Sequence, residues 1–341
     1  MAFTASQLLK IQRMADDMWA DNRTRIDYMA ECDVAKAIQA ETTAQLDPLT
    51  DPRKTNTVKL IWLNACSVAD AAVGDDCAIT GPELTSDSED YTLDIFRKTS
   101  FSVKEIQART DQFELGQQIA RGILQCDKVL SEYVAEQCVA KLEAFRGTNE
   151  YLSVIGSPGW AASGSDTEIP ADQWDSTLMP KLSLAARKNK FINPALISGE
   201  ALWFINEEAE NNRGNDAGKG DAVRMTSKYF ARKYFDPIKI DEVNAGNIKA
   251  YMVDRGALAL VTKSHYGDVP SLYHNPWQQR YSVPSKNLPG ISWEVIYTQS
   301  CTSGEITHVW QFKVNMGIFQ NPTGCTATNT GVLSFLRPVG I

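Results

Sequence analysis

The sequence predicts an α+β protein with helices early and strands late, and three observations predict it. Apolar residues recur every three or four positions through residues 5–45 and, on one side only, through 112–146, which is the helical period. Apolar and polar residues alternate in Trp293-Glu-Val-Ile-Tyr and His308-Val-Trp-Gln-Phe-Lys-Val, as in strands with one face buried. A Gly-, Ser- and Pro-rich stretch, Ser153 to Gly164, separates the two regimes. With 341 residues, 43% hydrophobic and 22% charged, the chain has an ordinary globular composition, which excludes a disordered or collagen-like protein and fits one large or two medium domains. No run approaches the roughly 18 apolar residues of a membrane span. The opening residues lack the basic start and apolar stretch of a signal peptide, so the expectation is a protein made and kept in a cytoplasm.

In chain order, Leu8, Ile11, Ala15, Met18 and Trp19 give the first helical stripe, and Ile26, Met29, Val34 and Ile38 continue it. Pro48 and Pro52 stop it, and Leu46 to Asn56 reads as a linker. Thr57 to Leu63 is β-branched and apolar, a strand. Val73 to Asp90 reads as a loop whose tip carries Asp75, Asp76, Asp87, Glu89 and Asp90. Tyr91 to Phe96 and Thr99 to Val103 read as two further strands, so the region is expected to form a protruding hairpin.

The clearest element is 112–146. Ile119, Ile123, Cys126, Leu130, Val134, Cys138, Leu142 and Phe145 recur without an intervening proline, and Gly147 stands where a C-terminal cap is expected. At 1.5 Å per residue such a helix is roughly 50 Å long. Beyond the 153–164 hinge, the pattern predicts a helix around Pro180 (174–190), a strand from Phe191 into a turn at Gly199, and a helix from Glu200 to Ala209. A polar loop follows from Gly214 to Asp221, then short apolar runs at 250–253 and 257–261, and a closing run from Gly331 to Leu336.

Charge is uneven. The formal net charge is −8; residues 1–150 hold 25 acidic and 16 basic side chains, and residues 151–341 hold 17 and 18. An acidic N-terminal half speaks against a simple nucleic-acid-binding domain, which needs a basic surface, and for an acidic extension that meets basic partners. A basic group comprises Lys181, Arg187, Lys188 and Lys190; a second runs from Arg213 through Lys219, Arg224 and Lys228 to Arg232 and Lys233, interleaved with Tyr229, Phe230, Tyr234 and Phe235. The second is read first as an amphipathic helix with its aromatics inward, and alternatively as a contact surface for nucleic acid or an acidic neighbour.

No motif of catalysis survives inspection. Gly214-Asn-Asp-Ala-Gly-Lys-Gly has three residues between its glycines where a phosphate-binding loop needs four, and no Ser or Thr follows Lys219. Gly156-Ser-Pro-Gly lacks the spacing of a nucleophile elbow. His265, His274 and His308 lie in separate segments, and the seven cysteines include no C-x-x-C pair, so neither a metal site nor a disulfide framework is expected. The expectation is a non-enzyme without catalytic residues, cofactor or metal.

The order of elements carries more information than any motif. An acidic helical arm, a hairpin, a very long one-sided helix, a hinge and a mixed α/β region resemble the Hong-Kong-97 fold of tailed-phage major capsid proteins. Asn193-Pro-Ala-Leu-Ile-Ser-Gly-Glu-Ala-Leu-Trp, Asp254-Arg-Gly-Ala-Leu-Ala-Leu, Tyr281-Ser-Val-Pro-Ser-Lys-Asn-Leu-Pro-Gly and Asn321-Pro-Thr-Gly-Cys are similar to capsid proteins of phages of Bacteroidetes-like hosts. The resemblance implies an N-terminal arm (1–56), a strand and extended loop (57–108), the spine helix of a peripheral domain (109–151), an axial domain (152–330) and a C-terminal strand returning to the peripheral domain (331–341). It implies hexamers and pentamers closing into an icosahedral shell around phage DNA, which is touched only non-specifically. It further implies assembly in the bacterial cytoplasm with a separate scaffolding protein, a portal and possibly a decoration protein, and no membrane. The acidic residues Asp75, Asp76, Asp87, Glu89 and Asp90 are then expected to meet Arg121, Lys128, Lys181, Arg187, Lys188 or Lys190 of a neighbour. The competing readings are another phage structural protein, of tail or portal, and a cytoplasmic enzyme whose site is not recognised.

Overall fold

A computed structural model describes residues 3–42, 45–46, 57–63, 86–105, 114–152, 159–175, 177–200, 202–207, 230, 232–243, 248–264, 267–273, 275–302, 304–321 and 330–338. Statements of absence below concern these residues.

The arm is three helices, not the near-continuous stripe the sequence suggests. α1 (Ala5–Ala20) opens with a capping box: the Gln7 amide donates to Thr4 Oγ1 at 3.3 Å and the Thr4 amide to Gln7 Oε1 at 2.8 Å. Asp21 ends it, because its carboxylate accepts from the Arg23 amide (3.3 Å) and the Thr24 hydroxyl (2.8 Å) and so caps α2 (Asn22–Tyr28). α3 (Asp33–Glu41) follows, and buries Val34, Ala35, Ala37 and Ile38.

β1 (Gln45–Leu46), β2 (Thr57–Leu63) and β3 (Ser86–Thr92) form a small antiparallel sheet. Residues 86–90, expected in a loop, are thus a strand: their backbone pairs with β2, with Asp90 opposite Lys59, Glu89 opposite Leu60 and Asp87 opposite Trp62. Opposite charges directly across a ladder favour that register. Val58 and Leu60 bury this sheet against Leu93, Ala259, Val261 and Phe319, with the Tyr91 ring tilted against Phe319 at 4.6 Å. Asp75 and Asp76 lie outside the described residues. The two strands expected at 91–96 and 99–103 are instead the end of β3 and one continuous strand, β4 (Ile95–Lys104).

α4 (Leu115–Phe145) is the long helix, 31 residues with a single buried stripe. It is capped not by Gly147 but at Arg146, in extended conformation; Gly147 is drawn into the fold through its amide, which donates to Val332 O at 2.8 Å.

Two six-stranded sheets complete the molecule. One contains β10 (Leu258–Thr262), β11 (Ser271–Tyr273), β12 (Asn275–Pro284), β13 (Ser292–Thr302) and β14 (Glu305–Gln320) in the order β10-β14-β13-β12-β11, with β4 also paired to β14. Alternation along β14 turns Trp310, Phe312, Val314, Met316 and Ile318 into one core with α1, α3 and α4. The other sheet has the order β5-β6-β15-β9-β7-β8, from β5 (Ala161–Ser163), β6 (Asp166–Glu168), β7 (Ala195–Ser198), β8 (Arg232–Phe235), β9 (Ile248–Val253) and β15 (Val332–Arg337). It packs on α5 (Leu178–Lys188) through Leu178, Leu182, Phe191, Leu196, Met252 and Phe335. Pro180 sits in the first turn of α5, where no helical amide bond is lost.

The inward-facing aromatics Tyr281, Trp293, Tyr297, Trp310 and Phe312 lie in one core with α4, which Ile197, Ile240, Tyr251, Val253 and Val332 also enter. The closing strand pairs antiparallel with β9 and parallel with β6. One expectation is corrected. Residues 232–235 are a strand parallel to β7 rather than part of an amphipathic helix. The expected α+β class holds.

Candidate inter-subunit surfaces and the joints of the arm

The arm is fixed to the body by buried polar joints. At the middle of α4, Asp127 is almost fully buried, and its two oxygens accept five hydrogen bonds: from Ser285 Oγ and Trp293 Nε1 at 2.6 Å each, from the amides of Lys286 (3.1 Å) and Asn287 (3.2 Å), and from Asn287 Nδ2 (2.8 Å). Asn287 passes the connection on. Its Oδ1 accepts from the Ala30 amide (2.8 Å), and its Nδ2 donates to Tyr28 O (3.1 Å). Helix, β12–β13 loop and arm are thereby tied at one carboxylate, because a buried charge must find donors wherever the chain supplies them.

Two further joints hold α3. Asp236 precedes Pro237 of α6 (Pro237–Val243) and caps it through the Lys239 amide (3.1 Å); its other oxygen takes the Val34 amide (3.2 Å). Burial raises its pKa, against the hydrogen bonds from Lys239 and Val34. Glu41 is fully buried and pairs with Arg232, whose Nη2 also donates to Asn193 O at 2.5 Å. Burial raises the Glu41 carboxyl despite that guanidinium.

At the C-terminal end of α4, Glu143, Arg146, Lys249 and Asp166 form an ion-pair cluster, with Lys249 Nζ 2.9 Å from Glu143 and 3.3 Å from Asp166. Tyr251 and Ser334 hydroxyls join it. Burial lowers the Lys249 pKa, opposed by Asp166. This cluster couples α4 to the β6-β15-β9 part of the second sheet. Cys32 and Cys126, both pushed up to about 12 by burial, and Cys138, raised further, are packing groups rather than reactive thiols.

The basic residues expected to meet the acidic hairpin fall on two elements. Arg121 and Lys128 lie on α4, two turns apart; Arg121 is exposed, while Lys128 Nζ donates to Asp27 O at 3.2 Å and so belongs to the arm contact. Lys181 and Lys188 are half-buried on α5, Arg187 is exposed there, and Lys190 is exposed just after it at φ 63°. Of the acidic set, Asp90 is exposed on β3. The structure therefore does not gather these residues into one intramolecular site, and no cluster of three metal-ligating side chains occurs among the described residues. No helix among them is long and apolar enough to cross a membrane.

What the sequence did not signal is the exposed apolar surface. Val269, Leu272 (69% exposed) and Trp277 crowd the β11–β12 hairpin at the edge of its sheet. Ile26 and Met29 protrude from the arm, with Val129 of α4 also exposed. Trp203 and Phe204 of the helical segment 202–207 border a groove of about 710 Å³, lined also by Asp33, Lys233, Tyr234 and Pro237. Exposed apolar groups gathered in this way are typical of surfaces that contact other molecules.

No protein-family model matches the chain, and no curated protein matches it. Among solved structures, it is similar to the cyanophage A-1(L) capsid asymmetric unit (9% identity, 90% of this chain and 93% of that one, TM-score 0.46). It is also similar to the capsid of Ralstonia phage GP4 (11%, 83% of each chain, 0.46) and to a chain of Mycobacterium phage Che8 (12%, 86% and 92%, 0.42). These are distant likenesses, and no residue role is taken from them.

Proposed function

We propose that this chain is the major capsid protein of a tailed phage, a shell subunit that assembles as hexamers and pentamers around packaged DNA. The observation that carries the reading is the mismatch between a well-packed centre and its unsupported extensions. The β2–β3 hairpin is rooted by a few side chains, its β3 strand is Ser-Asp-Ser-Glu-Asp-Tyr-Thr, and apolar side chains stand exposed at the β11–β12 tip and the arm. Isolated, such extensions gain little from burial; laid across identical neighbours, each meets a surface. Asp75, Asp76, Asp87, Glu89 and Asp90 are the carboxylates proposed to face basic side chains of the next subunit, Arg121, Arg187 and Lys190 being the exposed candidates. The partners proposed are further copies of the chain, a separate scaffolding protein, a portal and a decoration protein, in a virion built in the bacterial cytoplasm.

Negative-stain electron microscopy of the chain expressed alone, then with its genomic neighbours, tests this. Closed shells or rings of six and five are expected. A monodisperse monomer or dimer under every condition would overturn the proposal. Asp75/Asp76→Lys should block assembly while leaving the subunit folded.

A further inference from the structure

His308 of β14 is completely buried, and its ring is the middle of a hydrogen-bonded chain that reaches the start of the arm. The Phe3 amide donates to Tyr297 Oη at 3.2 Å. Tyr297 Oη lies 2.8 Å from His308 Nδ1, and His308 Nε2 lies 3.1 Å from Glu105 Oε1. An amide can only donate and an ionised carboxylate can only accept, which fixes the two outer links, and a neutral imidazole then fixes the middle one. Phe3 N–H donates to the tyrosine oxygen, the tyrosine hydroxyl to Nδ1, and Nε2–H to Glu105. His308 is neutral in this arrangement. Phe3 is held from other sides too: its ring is 4.6 Å from the imidazole and 6.1 Å from Trp310, and Gln279 Nε2 donates to its carbonyl at 2.5 Å. Phe3 immediately precedes Thr4, the cap of α1, so what holds Phe3 holds the beginning of that helix.

We propose that this one-way chain of bonds is an acid-sensitive latch: a proton on His308 releases Phe3, and with it the first turns of α1, from the sheet. The added proton sits on Nδ1 and converts the tyrosine's acceptor into a donor. The tyrosine oxygen then faces two donors, and its own hydrogen has lost its partner inside the core, which is unfavourable. Tyr297 cannot resolve this by ionising, since burial pushes its phenol up to about 12. Among the described residues, the charged group acting on His308 is Glu105, at the end of β4. Burial lowers the imidazole pKa, and Glu105 opposes it. The released histidine therefore binds a proton more readily than the latched one. Latching is at full strength above the ordinary imidazole value, about 6.5, and weakens as pH falls from there toward the lowered one. The joints at Glu41 and Asp236 respond in the opposite sense, because their pKa values are raised, so mild acid does not loosen α3. The opening is confined to the start of the arm.

Hydrogen exchange of the full-length chain tests the latch, comparing peptides covering residues 3–12 and 119–142 at pH 7.5, 6.5 and 5.5, corrected for the intrinsic pH dependence of exchange. Exchange in 3–12 should rise severalfold by pH 5.5 while 119–142 stays protected. In His308→Gln, which cannot titrate, that rise should vanish; the same rise in this variant, or none in the parent chain, overturns the proposal. Tyr297→Phe removes the Phe3 acceptor at every pH and should expose 3–12 already at pH 7.5. Protection equal to the parent's in that variant would also overturn it, and this arm decides the matter should His308→Gln fail to fold.

Discussion

At the scale of single residues, Asp127 determines how the arm, the long helix and the β12–β13 loop meet. Its carboxylate accepts from five donors there, one of which, Asn287 Nδ2, also reaches Tyr28 O. Asp127→Ala leaves neutral donors buried without their acceptor and should cost at least about 1–3 kcal/mol, the range for one such unsatisfied group, as measured by chemical denaturation. Asp127→Asn, which keeps one good acceptor, should cost less. Asp127 was not among the residues the sequence singled out. Its partners were not legible, because Ser285, Asn287 and Trp293 lie about 160 residues away and read as ordinary loop and strand residues. The same holds for His308, which the sequence could place only among three unrelated histidines.

At the scale of elements, the long helix was the most legible part, since its stripe is 31 residues of uninterrupted period. Its seat on β4 depends on a residue the stripe conceals. A Cβ on Gly122 would fall 2.5 Å from the Phe101 ring, and that ring is itself stacked on Trp310 at 5.1 Å. Gly122→Ala should destabilise the subunit by about 1–3 kcal/mol, the usual result of overpacking, visible as a lower midpoint of urea unfolding with unchanged slope. Strand β3 was illegible for the opposite reason. Polar residues at 86–90 have a loop's composition, and only the pairing with residues 59–63 of β2 makes them a strand. Residues 232–235 misled similarly, because two basic residues followed by two aromatic ones carry neither the helical nor the strand period.

At the scale of the whole molecule, the class and the order of segments were readable, whereas the division of segments between sheets was not. Periodicity reports that a strand has one buried face; it does not say against which helix. The sequence could not show, for instance, that Val332 and the aromatics of β13 and β14 enter one core with α4. Exposed apolar groups are likewise invisible in a pattern, since Leu272 and Trp277 look like core residues until the edge of the sheet is seen. Leu272→Asp combined with Trp277→Ser should leave the thermal transition of the isolated subunit nearly unchanged and abolish ring or shell formation in sedimentation. Loss of the folded subunit itself would show those side chains to be structural.

The long strand β14 has a consequence in time. It holds β4, β10 and β13 at once, yet it is the next-to-last strand among the described residues, about two hundred residues after β4, its partner. At roughly 5–20 residues per second, β4 and the apolar stripe of α4 wait about 10–40 s on the ribosome before the strand that covers them emerges. During that interval the nascent chain displays its stickiest surface in a cell filling with identical copies. The protein's yield then depends on whatever shields that surface until residue 320 has been made.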